Sequence, residues 1–160
     1  MRNVAQRCLT LFEGGIYMPI SPSVFVPYEA KNIMMKIYSY SDKNVCGSLS
    51  NLFLDDDLSF QNLTQMLFGI EHILDTTQFP QQSLLPRSFS PQDPATPRHG
   101  RDYLPDNGDK KAIATFKLSV LFRQNASWQG TLVWLDENSE VQFRSALELI
   151  LLLDSVLQGK

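Results

Sequence analysis

Two segments of this 160-residue chain share one pattern at an offset of 83 positions, and this repeat constrains the fold more than any other feature. Residues 33–74 align with residues 116–157 without a gap. The matched positions include Gly47 with Gly130, Phe60 with Phe143, Leu63 with Ala146, Leu67 with Ile150, Ile70 with Leu153, and Leu74 with Leu157. Matching apolar stripes predict two units that bury equivalent surfaces.

Each copy has the pattern of two strands followed by a helix. The strand-like runs are residues 33–41 and 46–54 in the first copy, and residues 116–123 and 128–135 in the second. Short polar turns separate the two runs of each copy. We predict that Asp56 caps the first helix, and that Ser139 with Gln142 forms a capping box at the second.

The predicted fold class is α+β, because two adjacent hairpins can share a sheet on which both helices pack. We expect a tandem ββα-ββα repeat that forms a four-stranded antiparallel sheet with two helices on one face, plus an N-terminal arm. The expected organisation is a single domain over residues 1–160, with the arm at 1–30, the first unit at 31–75, a proline-rich connection at 76–112 and the second unit at 113–160.

Composition excludes several classes of protein. The chain is 43% hydrophobic and 19% charged with a net charge of −3, which fits neither a generally basic nucleic-acid binder nor a disordered chain. No run approaches the length of a membrane span, and the apolar stretch after Arg7 is too short for a signal peptide. We therefore expect a cytoplasmic protein without a membrane partner, in which Cys8 and Cys46 are reduced thiols.

The connection between the copies contains six of the nine prolines, so it cannot form a helix or a central strand. It also concentrates cations at Arg87, Arg98 and Arg101, followed by Tyr103. A solvated linker is one interpretation. The other is a loop that binds a partner, since long connections in compact domains are often functional.

Catalytic and metal-binding patterns are not evident in the sequence. His72 has carboxylates nearby on its helix, but no further ligand at a defined spacing. The run Asp55-Asp56-Asp57 favours the N-terminus of a helix over a metal site, because negative charge is stabilised there. We predict no catalytic residue, no metal and no cofactor.

Strand alternation assigns a second candidate site to the outer face of the sheet. The side chains predicted on this face are Lys36, Tyr38, Tyr40, Lys117 and Arg123. Aromatic rings stack on bases and cations meet phosphates, so this set suits single-stranded nucleic acid. An ordinary solvated strand face explains the same residues.

The final helix is apolar on more than one side. Leucine or isoleucine occupies positions 147, 149, 150, 151, 152 and 153. Such a helix needs additional cover. Either the N-terminal arm packs on it, or a homodimer forms through this C-terminal helix.

The segments 122–135 and 143–150 together resemble a recurring signature of small uncharacterised bacterial proteins. The signature reads FRQNASWQG at its start and FRSALELI in its second part, and it spans about the last third of the chain. The resemblance implies a bacterial or mobile-element origin and carries no activity with it.

The predicted function is non-enzymatic binding of a macromolecule, as an adaptor or inhibitor, with a protein as the expected partner. One version is a mobile-element protein that acts against a host defence nuclease. The predicted partner-binding residues are Arg87, Arg98, Arg101, Tyr103, Arg123 and Trp128, because arginine and aromatic side chains are enriched where binding energy concentrates. The alternative is binding of single-stranded nucleic acid on the outer sheet face.

Overall fold

The computed structural model describes residues 31–84, 87, 89, 110–125 and 127–159. The elements are β1 (Asn32–Ser41), β2 (Asn44–Ser50), β3 (Leu58–Phe60), α1 (Leu63–Thr77), β4 (Ala114–Phe122), β5 (Gln129–Trp134), β6 (Ser139–Phe143) and α2 (Ala146–Leu157). The strands form one antiparallel sheet in the order β3-β2-β1-β4-β5-β6. Both helices pack on one face of it, so the predicted α+β class is confirmed.

The sheet has six strands where four were expected, because each unit contains a third strand before its helix. These strands, β3 and β6, form the two edges of the sheet. The first unit is β1-β2-β3-α1 and the second is β4-β5-β6-α2, and β1 pairs with β4 at the centre. The repeat is thus βββα-βββα.

Gly47 in β2 and Gly130 in β5 occupy equivalent positions that admit no side chain. Gly47 pairs with Phe60 of the adjacent edge strand, and Gly130 pairs with Phe143. A Cβ at Gly47 would lie 2.1 Å from a backbone oxygen of β1, and one at Gly130 would lie 2.0 Å from a backbone oxygen of β4. Close backbone approach therefore explains why both copies have glycine here.

The helix caps differ from the prediction but are themselves repeated. Asp56 lies in the turn between β2 and β3 and Ser139 begins β6, so neither residue caps a helix. Asn62 accepts a hydrogen bond from the backbone of Gln65, whose side chain accepts one from the backbone of residue 61. The same reciprocal capping box joins positions 145, 148 and 144 at α2.

Both central strands contain a bulge at the same place in the repeat. The pairing register shifts beyond Ile37 in β1 and beyond Val120 in β4. One extra residue reverses which face of the sheet the following side chains occupy. Tyr40 and Arg123 consequently point towards the helices instead of the outer face.

One apolar core lies between the sheet and the two helices. Complete burial of a large apolar side chain contributes about 1.5–3 kcal/mol, so a dozen of them dominate the favourable free energy. The largest fully buried side chains are Phe60, Phe116, Phe143, Ile33, Met35, Ile37, Leu49, Met66, Ile70, Ile73, Leu118 and Leu149.

The chain that follows α1 returns to the sheet beside β4. Gln82 forms an isolated bridge with Arg123, and Ser83 donates to the Arg123 carbonyl oxygen through its backbone. The expected arm at residues 1–30 and most of the expected proline-rich connection lie outside the described residues. Neither helix of the described chain has the length and apolar character needed to cross a membrane.

Candidate functional site

Each unit contacts the helix of the other unit through the residue that follows its bulge. Tyr40 of the first unit donates a hydrogen bond to Asp154 of α2. Arg123 of the second unit donates to Glu71 and Asp75 of α1. Tyr40 and Arg123 are equivalent positions of the repeat, and so are Glu71 and Asp154. We call these two arrangements the crossed contacts.

The crossed contact at Arg123 is buried. Only 4% of the Arg123 side chain is exposed, and its guanidinium pairs with Asp75 at 2.7 Å as well as with Glu71. The other carboxylate oxygen of Glu71 accepts from Trp128 Nε1 at 2.6 Å. Arg123 and Trp128 therefore fasten the second hairpin to α1.

The crossed contact at Tyr40 is more exposed. Lys43 Nζ lies 2.7 Å from Asp154, and 65% of the lysine side chain is exposed. Lys43, and after it Tyr40, hold the pKa of Asp154 below its usual value. In return, the hydrogen bonds to Asp154 raise the pKa values of Tyr40 and Lys43.

These contacts correct the expected surface positions of three residues. Arg123 and Trp128 were predicted to bind a partner, but both side chains are buried and bonded within the chain. Tyr40 and Arg123 were also predicted on the outer sheet face, and the bulges turn them to the helix side. The sequence has no signature that marks a bulge, so alternation alone misplaces both residues.

The other side of the sheet holds the remaining candidates. Its side chains in the central strands alternate with the buried core positions, and both described helices lie on the opposite side. We call this surface the helix-free face. Its partly or fully exposed residues are Met34, Lys36, Tyr38, Ser50, Thr115, Lys117, Ser119, Leu121 and Thr131, and Ser48 and Val133 on the same side are buried.

The helix-free face is cationic although the chain is acidic. Lys36 and Lys117 are the basic residues of the described strands, and Glu140 on the edge strand β6 is the acidic one. Glu71, Asp75 and the other helical carboxylates belong to the opposite side of the molecule. The strand side chains of this face thus include two cations and one carboxylate.

A pocket of about 510 Å³ adjoins this face at the end of the first hairpin. We call it the Tyr38 pocket. Its described lining is Tyr38, Ser39, Cys46, Gly47, Ser59, Phe60, Gln61, Lys110 and Lys111. Lys110 and Lys111 were not among the sequence-based candidates, because they precede β4 and only the folded sheet brings them to Tyr38.

The Tyr38 ring is held in place within this pocket. Its hydroxyl lies 2.9 Å from Ser48 Oγ on the neighbouring strand. Lys110 Nζ lies 5.8 Å from the centre of the ring, within the range of a cation–π contact. A fixed aromatic face and a cation therefore border the same space.

A second, apolar groove of about 190 Å³ separates the start of α1 from the end of α2. Leu63, Ile150 and Leu151 line it, with Tyr40 and Lys43 at its rim. Leu151 is 59% exposed, and Leu147 one turn earlier is 65% exposed. Part of the final helix thus remains exposed among the described residues.

Several other candidates receive no ligand role from the structure. His72 is partly buried in α1, and Asp55, Asp56 and Asp57 lie in the turn before β3. Within the described ranges, no group of three histidine, cysteine or acidic side chains could hold a metal ion. Arg87 is exposed, whereas Arg98, Arg101 and Tyr103 lie outside the described residues.

Comparison of the chain with protein-family models, with curated proteins and with solved structures finds no match.

Proposed function

We propose that this protein binds macromolecules through the helix-free face, and that its partner is single-stranded nucleic acid. The observation that supports this proposal most is the placement of Lys36, Lys117 and Tyr38 on one sheet face. That face is poor in carboxylates although the chain carries a net charge of −3. Lysines neutralise phosphates, and an aromatic ring on a sheet surface offers a platform for an unpaired base.

The character of the surrounding surface also supports the proposal. Around the two lysines the face carries small hydroxyl side chains such as Ser50, Thr115 and Ser119. These side chains are short, so an extended strand can approach the sheet closely. At the end of β4, Leu121 and Phe122 are 43% and 51% exposed and add apolar surface.

The test is a titration of labelled single-stranded RNA and DNA at about 50 mM and about 200 mM salt. We expect binding that weakens as the salt concentration rises. In the double variant Lys36→Gln/Lys117→Gln, the slope of log K against log salt should decrease by about 1.4, which is about 0.7 for each lost phosphate contact.

Arg144→Gln provides a matched control. Arg144 lies just before the N-terminus of α2, and its side chain is 87% exposed. The equivalent residue of the first unit is Gln61. This variant should bind like the wild type. Absence of binding at the lower salt concentration, or an unchanged slope in the double variant, would contradict the proposal.

A protein partner remains a second candidate, favoured by the exposed Leu147 and Leu151 beside the apolar groove. The partner with matching chemistry is a second copy of α2, as in the predicted homodimer through the C-terminal helix. A measurement of molar mass in solution tests this, with Leu147→Lys/Leu151→Lys as the variant. A wild-type protein that is monomeric at high concentration would refute it.

A further inference from the structure

We infer that the Tyr38 pocket is a nucleotide site, which holds a base against the Tyr38 ring and a phosphate between Lys110 and Lys111. The inference deepens the proposed function and rests on it, because Tyr38 belongs both to the pocket and to the helix-free face. The nucleotide is either the end of a bound strand or a free mononucleotide, and the two sources share this chemistry.

The size of the pocket suits a ligand of this kind. Its volume of about 510 Å³ falls within the range of about 300–1,000 Å³ that is usual for small-molecule sites. The described part of its lining combines apolar surface from Phe60 with the hydroxyl of Ser39 and the amide of Gln61. Such polar groups can meet the edge of a base.

The charge of the pocket selects an anion. Lys110 and Lys111 are consecutive, both are exposed, and none of the described residues that line the pocket is acidic. Lys110 Nζ lies 5.8 Å from the Tyr38 ring centre, so a single ligand can contact both the cation and the aromatic ring. A nucleotide presents a planar ring and a phosphate to that pair.

The second unit shows that the fold alone does not require these residues. Leu121 is the equivalent of Tyr38, and Phe122 is the equivalent of Ser39. The second hairpin thus has the same strand arrangement but no tyrosine at the position of Tyr38. The chemistry at Tyr38 is consequently a property of the first unit only.

The experiment measures binding of adenosine monophosphate, adenosine, inorganic phosphate, and single-stranded oligonucleotides that end in a 5′-phosphate or a 5′-hydroxyl. We expect the phosphorylated strand or the free mononucleotide to bind about tenfold or more tightly than the matching ligand without phosphate. That preference should disappear in Lys110→Gln/Lys111→Gln. Tyr38→Leu, which introduces the residue of the second unit, should weaken binding by about 5-fold to 150-fold.

The different probes distinguish a strand end from a free nucleotide, and they distinguish failure of this inference from failure of the proposed function. Preference for the phosphorylated strand assigns the pocket to a strand end, and tight binding of adenosine monophosphate assigns it to a free nucleotide. Inorganic phosphate that binds as tightly as adenosine monophosphate would overturn the inference. So would equal affinity for both strand ends without mononucleotide binding, although strand binding itself would leave the proposed function standing. Arg144→Gln is again the control.

Discussion

Removal of Arg123 should destabilise the protein far more than removal of Lys43, although both cations belong to crossed contacts. Only 4% of the Arg123 side chain is exposed, against 65% for Lys43. Loss of one member of a buried ion pair costs about 3–5 kcal/mol, because it leaves an uncompensated charge. Glu71 and Asp75 are 23% and 48% exposed, so solvent relieves part of this and we expect about 3 kcal/mol for Arg123→Ala.

Urea unfolding provides the assay. A loss of about 3 kcal/mol, divided by a typical m-value of about 1–3 kcal/mol per molar urea, lowers the midpoint by about 1–3 M. Lys43→Ala should leave the midpoint nearly unchanged, because exposed ion pairs contribute little. A double-mutant cycle of Arg123→Ala with Glu71→Gln isolates the pair, since the amide oxygen of the substituted side chain can still accept from Trp128. Its coupling energy should be about 0.5–3 kcal/mol.

Either of two results would contradict the buried ion pair at Arg123. One is a loss of less than about 1 kcal/mol in Arg123→Ala, which would show that the buried cation is not paired as described. The other is an equal shift of the midpoint in Arg123→Ala and Lys43→Ala. That equality would mean that burial does not distinguish the two crossed contacts.

Two further predictions concern the repeat and the acid range. Gly130→Ala should lower the free energy of unfolding by about 2 kcal/mol or more in thermal or urea denaturation, since its Cβ would lie 2.0 Å from a backbone oxygen; a variant as stable as wild type would rule out the close approach. Asp154 has its folded pKa held below the usual 3.8, chiefly by Lys43, so its stabilisation is complete above 3.8 and is lost as the pH falls through the folded value. The stability difference between wild type and Asp154→Asn should therefore narrow in acid, and a difference independent of pH would contradict the pairing.

The repeat was predictable because the structure dictates the residue type at the positions that match between the two copies. Gly47 and Gly130 are imposed by backbone approach, and the buried helix positions Ile70 and Leu153 recur at the same offset. Spacing alone was sufficient to align the units. It also predicted that the helices would share one face of an antiparallel sheet.

The third strands and the bulges were not predictable in the same way. β3 has three residues and β6 has five with mostly exposed side chains, so neither shows an extended apolar alternation. The capping boxes at Asn62 and Ser145 were nevertheless visible in the sequence, each followed three positions later by Gln or Glu. These boxes mark both helix starts and leave room for a further strand before each helix.

The candidate site divides in a similar way. Lys36 and Lys117 precede the bulges, and Tyr38 is the residue at which the first bulge begins, so alternation assigns all three to the correct face. Tyr40 and Arg123 follow the bulges and are reversed. Lys110 and Lys111 reach Tyr38 only through the pairing of β1 with β4, which no local pattern encodes.

The crossed contacts make the halves of this molecule mutually dependent. An isolated βββα half would still contain Tyr40 or Arg123, but the carboxylate that accepts its hydrogen bond belongs to the other half. In such a fragment that residue would be left to solvent unless two copies paired, in which case Tyr40 would face Glu71, or Arg123 would face Asp154. The interface between the halves thus resembles the reciprocal interface of a two-fold symmetric dimer, with both subunits in one chain.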